Sequence, residues 1–190
     1  MPGTSLEAIT GRLGVGAVAF LGLFLMLDGA QLGAFELVET YGKSSTWGIV
    51  GVVPTLVVIH IIGVFCVGIA ELGLSRFAAL HGPEPRDILV VSRSGMGLLQ
   101  QLYAEHLRNQ ELLKGAAVSF VILAIGSLAE WRTIPGTEII VVLAAGGAIL
   151  LSCLSLVFAR RAVEQAAALA IVAEHETAHH LPAELARSGE

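Results

Sequence analysis

His60 lies in a run of 27 residues, Ser44 to Ala70, that holds no Asp, Glu, Lys or Arg. An imidazole that deep in an apolar segment is costly unless it faces a bundle interior or a wet cavity. Histidine is also the side chain best suited to passing protons at physiological pH. Glu71 follows 11 residues later, on the same helical face and about 16 Å further along. Gly63 and Val67 occupy the stripe between them. The spacing fits a polar track for protons or cations. The plainer alternative is a neutral imidazole bonded to a neighbouring helix, with Glu71 marking the inner membrane interface. Asp28 and Gln31, three residues apart, form a second polar face. In an oligomer with this helix near the axis, Asp28 would form an acidic ring at a pore mouth, an arrangement that attracts and selects cations. The plainer alternative makes Asp28, Glu36, Glu39, Glu130 and Glu138 carboxylates at a water boundary.

Near the end of the chain stands His175-Glu176-Thr177-Ala178-His179. Two histidines at i and i+4 on a helix can share one zinc ion, with the glutamate as base. These five residues resemble the His-Glu-x-x-His motif of zinc peptidases. The resemblance implies His175 and His179 as metal ligands, with a third ligand from elsewhere and Glu184 the nearest downstream candidate. Nothing around the motif looks like a substrate-binding strand or a lid, so no cofactor is expected. Gly14-Val15-Gly16-Ala17-Val18-Ala19 fits a dinucleotide fingerprint, but no strand precedes it and it lies in an expected membrane span. Gly29 and Gly33, and the Gly146-Gly147 pair, permit close helix approach. Cys66 and Cys153 sit in apolar runs, toward the same end, where they could be neighbours; they read as small buried hydrophobes.

The elements that must position these residues follow from four uncharged runs. Besides the longest there are 15 residues between Arg12 and Asp28, 15 from Gly115 to Ala129, and 21 from Ile139 to Ala159. A bilayer core about 30 Å thick needs roughly 20 apolar helical residues. Two runs suffice alone, and the others suffice if one flanking charge sits near the membrane surface. The expected spans are about 13–35, 47–71, 114–131 and 138–160, with Pro54 kinking the second and the stem of Lys114 snorkelling at the start of the third. The connection between the second and third spans holds Arg76, Arg86, Arg93, Arg108 and Lys114, and the tail opens with Arg160-Arg161, against Lys43 and Arg132 in the other two connections. Positive residues stay inside, which places both termini in the cytoplasm and Trp47 and Trp131 at the outer interface.

Residues 72–113 and 161–190 form the cytoplasmic elaborations. His81-Gly82-Pro83-Glu84-Pro85 reads as a loop, and Ser92 to Gly97 as a second break. Leu98, Leu99, Leu102, Tyr103, Leu107, Leu112 and Leu113 recur at helical spacing, so one helix is expected from Leu98 to Ala129. The fourth span should continue through Ala162 to Ala173 and end before Pro182.

The chain therefore reads as an all-α integral membrane protein of the bacterial inner membrane. It has four transmembrane helices, with cytoplasmic helical extensions of helices 2, 3 and 4. It is 55% hydrophobic and 14% charged, with net charge −5, so no basic field draws it to nucleic acid. No motif fixes a reaction. The leading expectation is a non-enzymatic homo-oligomeric subunit in the lipid bilayer, sensing or scaffolding for a cytoplasmic protein partner. A cation or proton channel using Asp28, Gln31, His60 and Glu71 comes second, and a metal-dependent hydrolase third.

Overall fold

A computed structural model describes residues 3–30, 32–33, 36, 39–40, 45–74, 76–77, 80, 85–94, 96–130 and 138–187. Its helices are α1 (Gly3–Gly29), α2 (Ser45–Leu74), α3 (Pro85–Arg93), α4 (Gly97–Glu130) and α5 (Glu138–Arg187). All except α3 contain a stretch long and apolar enough to cross a membrane. Their outward surfaces suit hydrocarbon. Val53 and Phe65 on α2 are each 66% exposed, and Ile139 on α5 is 76% exposed, among many such neighbours. Apolar cover of that extent exceeds what a soluble monomer leaves in water.

Several boundaries differ from the sequence reading. The first span was expected to reach Phe35, but α1 stops at Gly29 and gains its length at the other end, starting at Gly3. The Leu32 amide donates to the Leu27 carbonyl at 3.2 Å, and Gly33 follows with φ 63°, a left-handed conformation that favours glycine. Helix α2 ends at Leu74, so the extension expected on the second span is missing. Turns replace it, with the Phe77 and Leu80 amides donating to the carbonyls of Leu74 and Phe77. A separate helix, α3, then begins at Pro85, since proline is well suited to the first helical position. Helix α4 starts at Gly97, as the periodicity predicts, after a break at Ser94. Helix α5 does not end before Pro182 but continues to Arg187, over 50 residues or about 75 Å.

Helix α4 is central. It packs against α1, α2, α3 and α5, whereas α5 touches α4 and α3. The α1–α2 seam depends on Gly16 and Gly63. A Cβ on Gly16 would lie 1.8 Å from the Ile59 carbonyl oxygen, and one on Gly63 would lie 2.0 Å from that of Arg12. The α1–α4 seam is built alike, and a Cβ on Gly126 would lie 2.1 Å from the Gly22 oxygen. Small residues bring backbones together where lipid supplies no hydrophobic drive. Val15, Ala19 and Cys66 form the buried cluster beside these seams. Across the α4–α5 contact the Ser152 hydroxyl donates to the Ala117 carbonyl at 3.0 Å.

A second core lies beyond the apolar runs. Val91 of α3, Leu99 and Tyr103 of α4, and Ala166, Ala170 and Ala173 of α5 pack together there. Alanines at i, i+4 and i+7 let α5 approach closely. The Gln110 amide donates to the Leu80 carbonyl at 3.2 Å, and the Arg86 guanidinium pairs with Glu174, tying α3 to α5. Cys66 is buried beside α1, as read from the sequence, whereas Cys153 is exposed on α5 and is not the buried small hydrophobe expected; both thiols are free.

Candidate functional site

The His60–Glu71 stripe of α2 faces inward. Gly63 abuts the Arg12 backbone of α1, and Val67 presses its Cγ2 toward Gly115 of α4. His60 is half-buried on this stripe, and its Nδ1 is buried without a hydrogen-bond partner among the described residues. An imidazole nitrogen left so is costly, about 1–3 kcal/mol for a neutral group. The stripe therefore starts at an unsatisfied polar atom, passes between three helices, and ends at Glu71, which is exposed.

Glu71 does not stand alone at that end. Glu111 of α4 lies within electrostatic reach of Glu71, of Arg12 of α1 and of Lys114 on its own helix. Lys114 does not snorkel as expected. It is 1% exposed, one of the two largest fully buried side chains among the described residues. Helix α4 is held too closely by its neighbours at Gly115 for the stem to escape. Two cations and two carboxylates thus close the stripe. Arg12 and Glu111 were missed because their meeting depends on lateral helix order. The only cue was the i, i+3 spacing of Glu111 and Lys114, which puts opposite charges on one face.

The opposite end carries the acidic candidates. Asp28 is half-buried, and the adjacent Gly29 meets the backbone of Ala129 and Glu130, with a Cβ 2.7 Å from the Ala129 carbonyl carbon. Glu130 is only 7% exposed, so one carboxylate at this end belongs to the α1–α4 seam instead of the water boundary. Gln31 lies outside the described residues. Gly146 and Gly147 have nothing within 4 Å of an added Cβ, in contrast to Gly29, so they make no close helix contact within one chain.

His175 is exposed on α5. The backbone is helical through His179, but the side chains from Glu176 onward lie outside the described residues. Among the described residues no three His, Cys, Asp or Glu side chains are grouped to hold a metal ion. The second core has its own polar peculiarity. The Tyr103 hydroxyl is buried without a hydrogen-bond partner among the described residues. Burial, and after it the charge of Asp87, pushes the phenol pKa up from its ordinary value. Comparison with protein-family models, with curated proteins and with solved structures finds no match to this chain.

Proposed function

We propose that this protein is an oligomeric subunit of the bacterial inner membrane that couples the bilayer to a cytoplasmic protein through α3 and the lower halves of α4 and α5. The orientation rests on charge. Nine of the eleven Lys and Arg residues fall on the side of the second core, and only Lys43 and Arg132 on the other. The observation that carries the reading is apolar surface beyond the membrane boundary. Leu98 is 72% exposed, Leu89 55% and Ile88 48%, on helices that pack together at that core. Lipid covers none of them in this orientation, and such surface marks contact sites. The test places a photo-crosslinking amino acid at position 98 or at the polar position 105 in living cells. Discrete adducts at 98 and none at 105, with either a second copy or a cytoplasmic protein, are expected. No adduct at 98, together with a monomeric mass in detergent, would sink the proposal.

A second reading, proton transfer along the His60–Glu71 stripe, is favoured by the unsatisfied Nδ1 and by the inward course of the stripe. Arg12, Lys114, Glu71 and Glu111 balance one another in charge at its inner end, and the proton is the species to test. In liposomes carrying a pH dye, a proton flux that falls at least about tenfold in His60→Gln supports this reading. Absence of flux from the unaltered protein removes it.

A further inference from the structure

Helices α4 and α5 touch at Ser152–Ala117 and again at the Tyr103 core, and between these contacts they leave a cleft of about 620 Å³. Its walls are two matching stripes. His106, Asn109, Leu113 and Ala116 come from α4, with Phe158, Arg161 and Gln165 from α5. Val15 of α1 closes the third side. These positions order by depth. Val15, Ala116 and Phe158 belong to the uncharged runs, three residues inside Arg12, two beyond Lys114 and two before Arg160. His106, Asn109, Arg161 and Gln165 lie outside those runs, at the water end. Each of the four offers N–H donors. Among the described residues no carboxylate lines the cleft, although the chain carries net charge −5. The neighbouring Arg160 is already tied to Glu164 at 2.9 Å, whereas Arg161 faces the cleft.

We propose that this cleft binds an anionic phospholipid of the inner leaflet. The phosphate sits on the Arg161 guanidinium and the amide donors of Asn109 and Gln165. The first part of an acyl chain lies over Val15, Ala116 and Phe158. A guanidinium matches a phosphate in geometry as well as charge, and basic pockets between membrane helices on the cytoplasmic side take such head groups. The inference needs the membrane orientation given above but not the scaffold or proton-transfer reading.

The test uses the full-length chain, purified in detergent and delipidated, titrated with phosphatidylglycerol, phosphatidylcholine or inorganic phosphate and read by native mass spectrometry. One phosphatidylglycerol per chain is expected, held at least about tenfold more tightly than phosphatidylcholine. Arg161→Gln should lose about tenfold in that affinity and Gln165→Leu several-fold, while Arg160→Gln binds like the parent. Melting temperatures without lipid show that the variants are folded; Gln165, on the exposed surface of α5, keeps the test usable if Arg161→Gln is not. Equal retention of the two lipids, or phosphatidylglycerol binding unchanged in both cleft variants, would overturn the proposal. Displacement of the lipid by millimolar inorganic phosphate would reassign the site to free phosphate and overturn it equally.

Discussion

Gly63→Leu lowers the melting temperature of the purified protein by about 6–12 °C, whereas Gly146→Leu leaves it within about 2 °C. The asymmetry follows from what each new side chain meets. At Gly63 the first added carbon already lies 2.0 Å from the Arg12 carbonyl oxygen and 3.1 Å from the Gly16 amide nitrogen. Both are backbone atoms of a packed helix, so neither can swing away as a side chain would. Relief requires α1 and α2 to separate, which also loosens the Gly16–Ile59 contact on the same seam. Overpacking costs about 1–3 kcal/mol where side chains can adjust, and a backbone clash belongs at or above the upper end of that range. For a chain of this size each kcal/mol corresponds to about 2–4 °C. Gly146 has open space around it, and an exposed substitution usually changes stability by less than about 0.5 kcal/mol. Thermal denaturation in one detergent reads both variants. Equal melting temperatures for Gly63→Leu and the parent would show that the α1–α2 seam is not formed as described. A loss at Gly146 would show that a second chain covers this face.

Tyr103 gives the other large effect, with opposite outcomes for two substitutions. Its ring is 4% exposed among Val91, Leu99, Ala166 and Ala170, so Tyr103→Ala leaves a cavity where three helices meet. Losses of about 3–5 kcal/mol are typical when a buried aromatic ring is truncated to alanine. Tyr103→Phe keeps the ring and removes only a hydroxyl that is buried without a partner among the described residues. It should be neutral or stabilising by up to about 1 kcal/mol. A pH signature accompanies it. The raised pKa means that the folded phenol keeps its proton at pH values where an unfolded tyrosine has lost it. Stability contributed here is fully present below the ordinary tyrosine value and is lost as pH rises above it through the raised folded pKa. Tyr103→Phe should flatten that alkaline limb in unfolding curves. If it destabilises as much as Tyr103→Ala, the hydroxyl has a partner and the description of this core is wrong.

Features that depend on order along one helix were legible in the sequence. Helix α4 begins within one residue of the predicted Leu98, because its leucines keep helical period and the break read from Ser92 to Gly97 marks its start. The stripe from His60 through Gly63 and Val67 to Glu71 was likewise visible as a face. Features that depend on which helices stand side by side were not. Lys114 looked like a boundary residue free to reach water, and only the close neighbours of α4 bury it. Gly16 and Gly63 carry the tightest contact described, yet with 22 glycines in the chain nothing marked them above Gly146 and Gly147. The end of α2 was missed for another reason. Its apolar pattern continues past Glu71, while the interruption comes from the turns after Leu74.

The central position of α4 has a mechanical consequence. Between Leu98 and Lys114 it contains neither glycine nor proline, so it has no ready hinge where it passes from the apolar runs to the second core. It acts as a lever arm. Lys114 and Tyr103 are separated by about 16 Å along the helix axis, and tilting α4 by about 10° about the upper point carries the lower one sideways by about 3 Å. Because α3 and α5 grip α4 at Tyr103, such a tilt must be shared by all three helices or must break their packing.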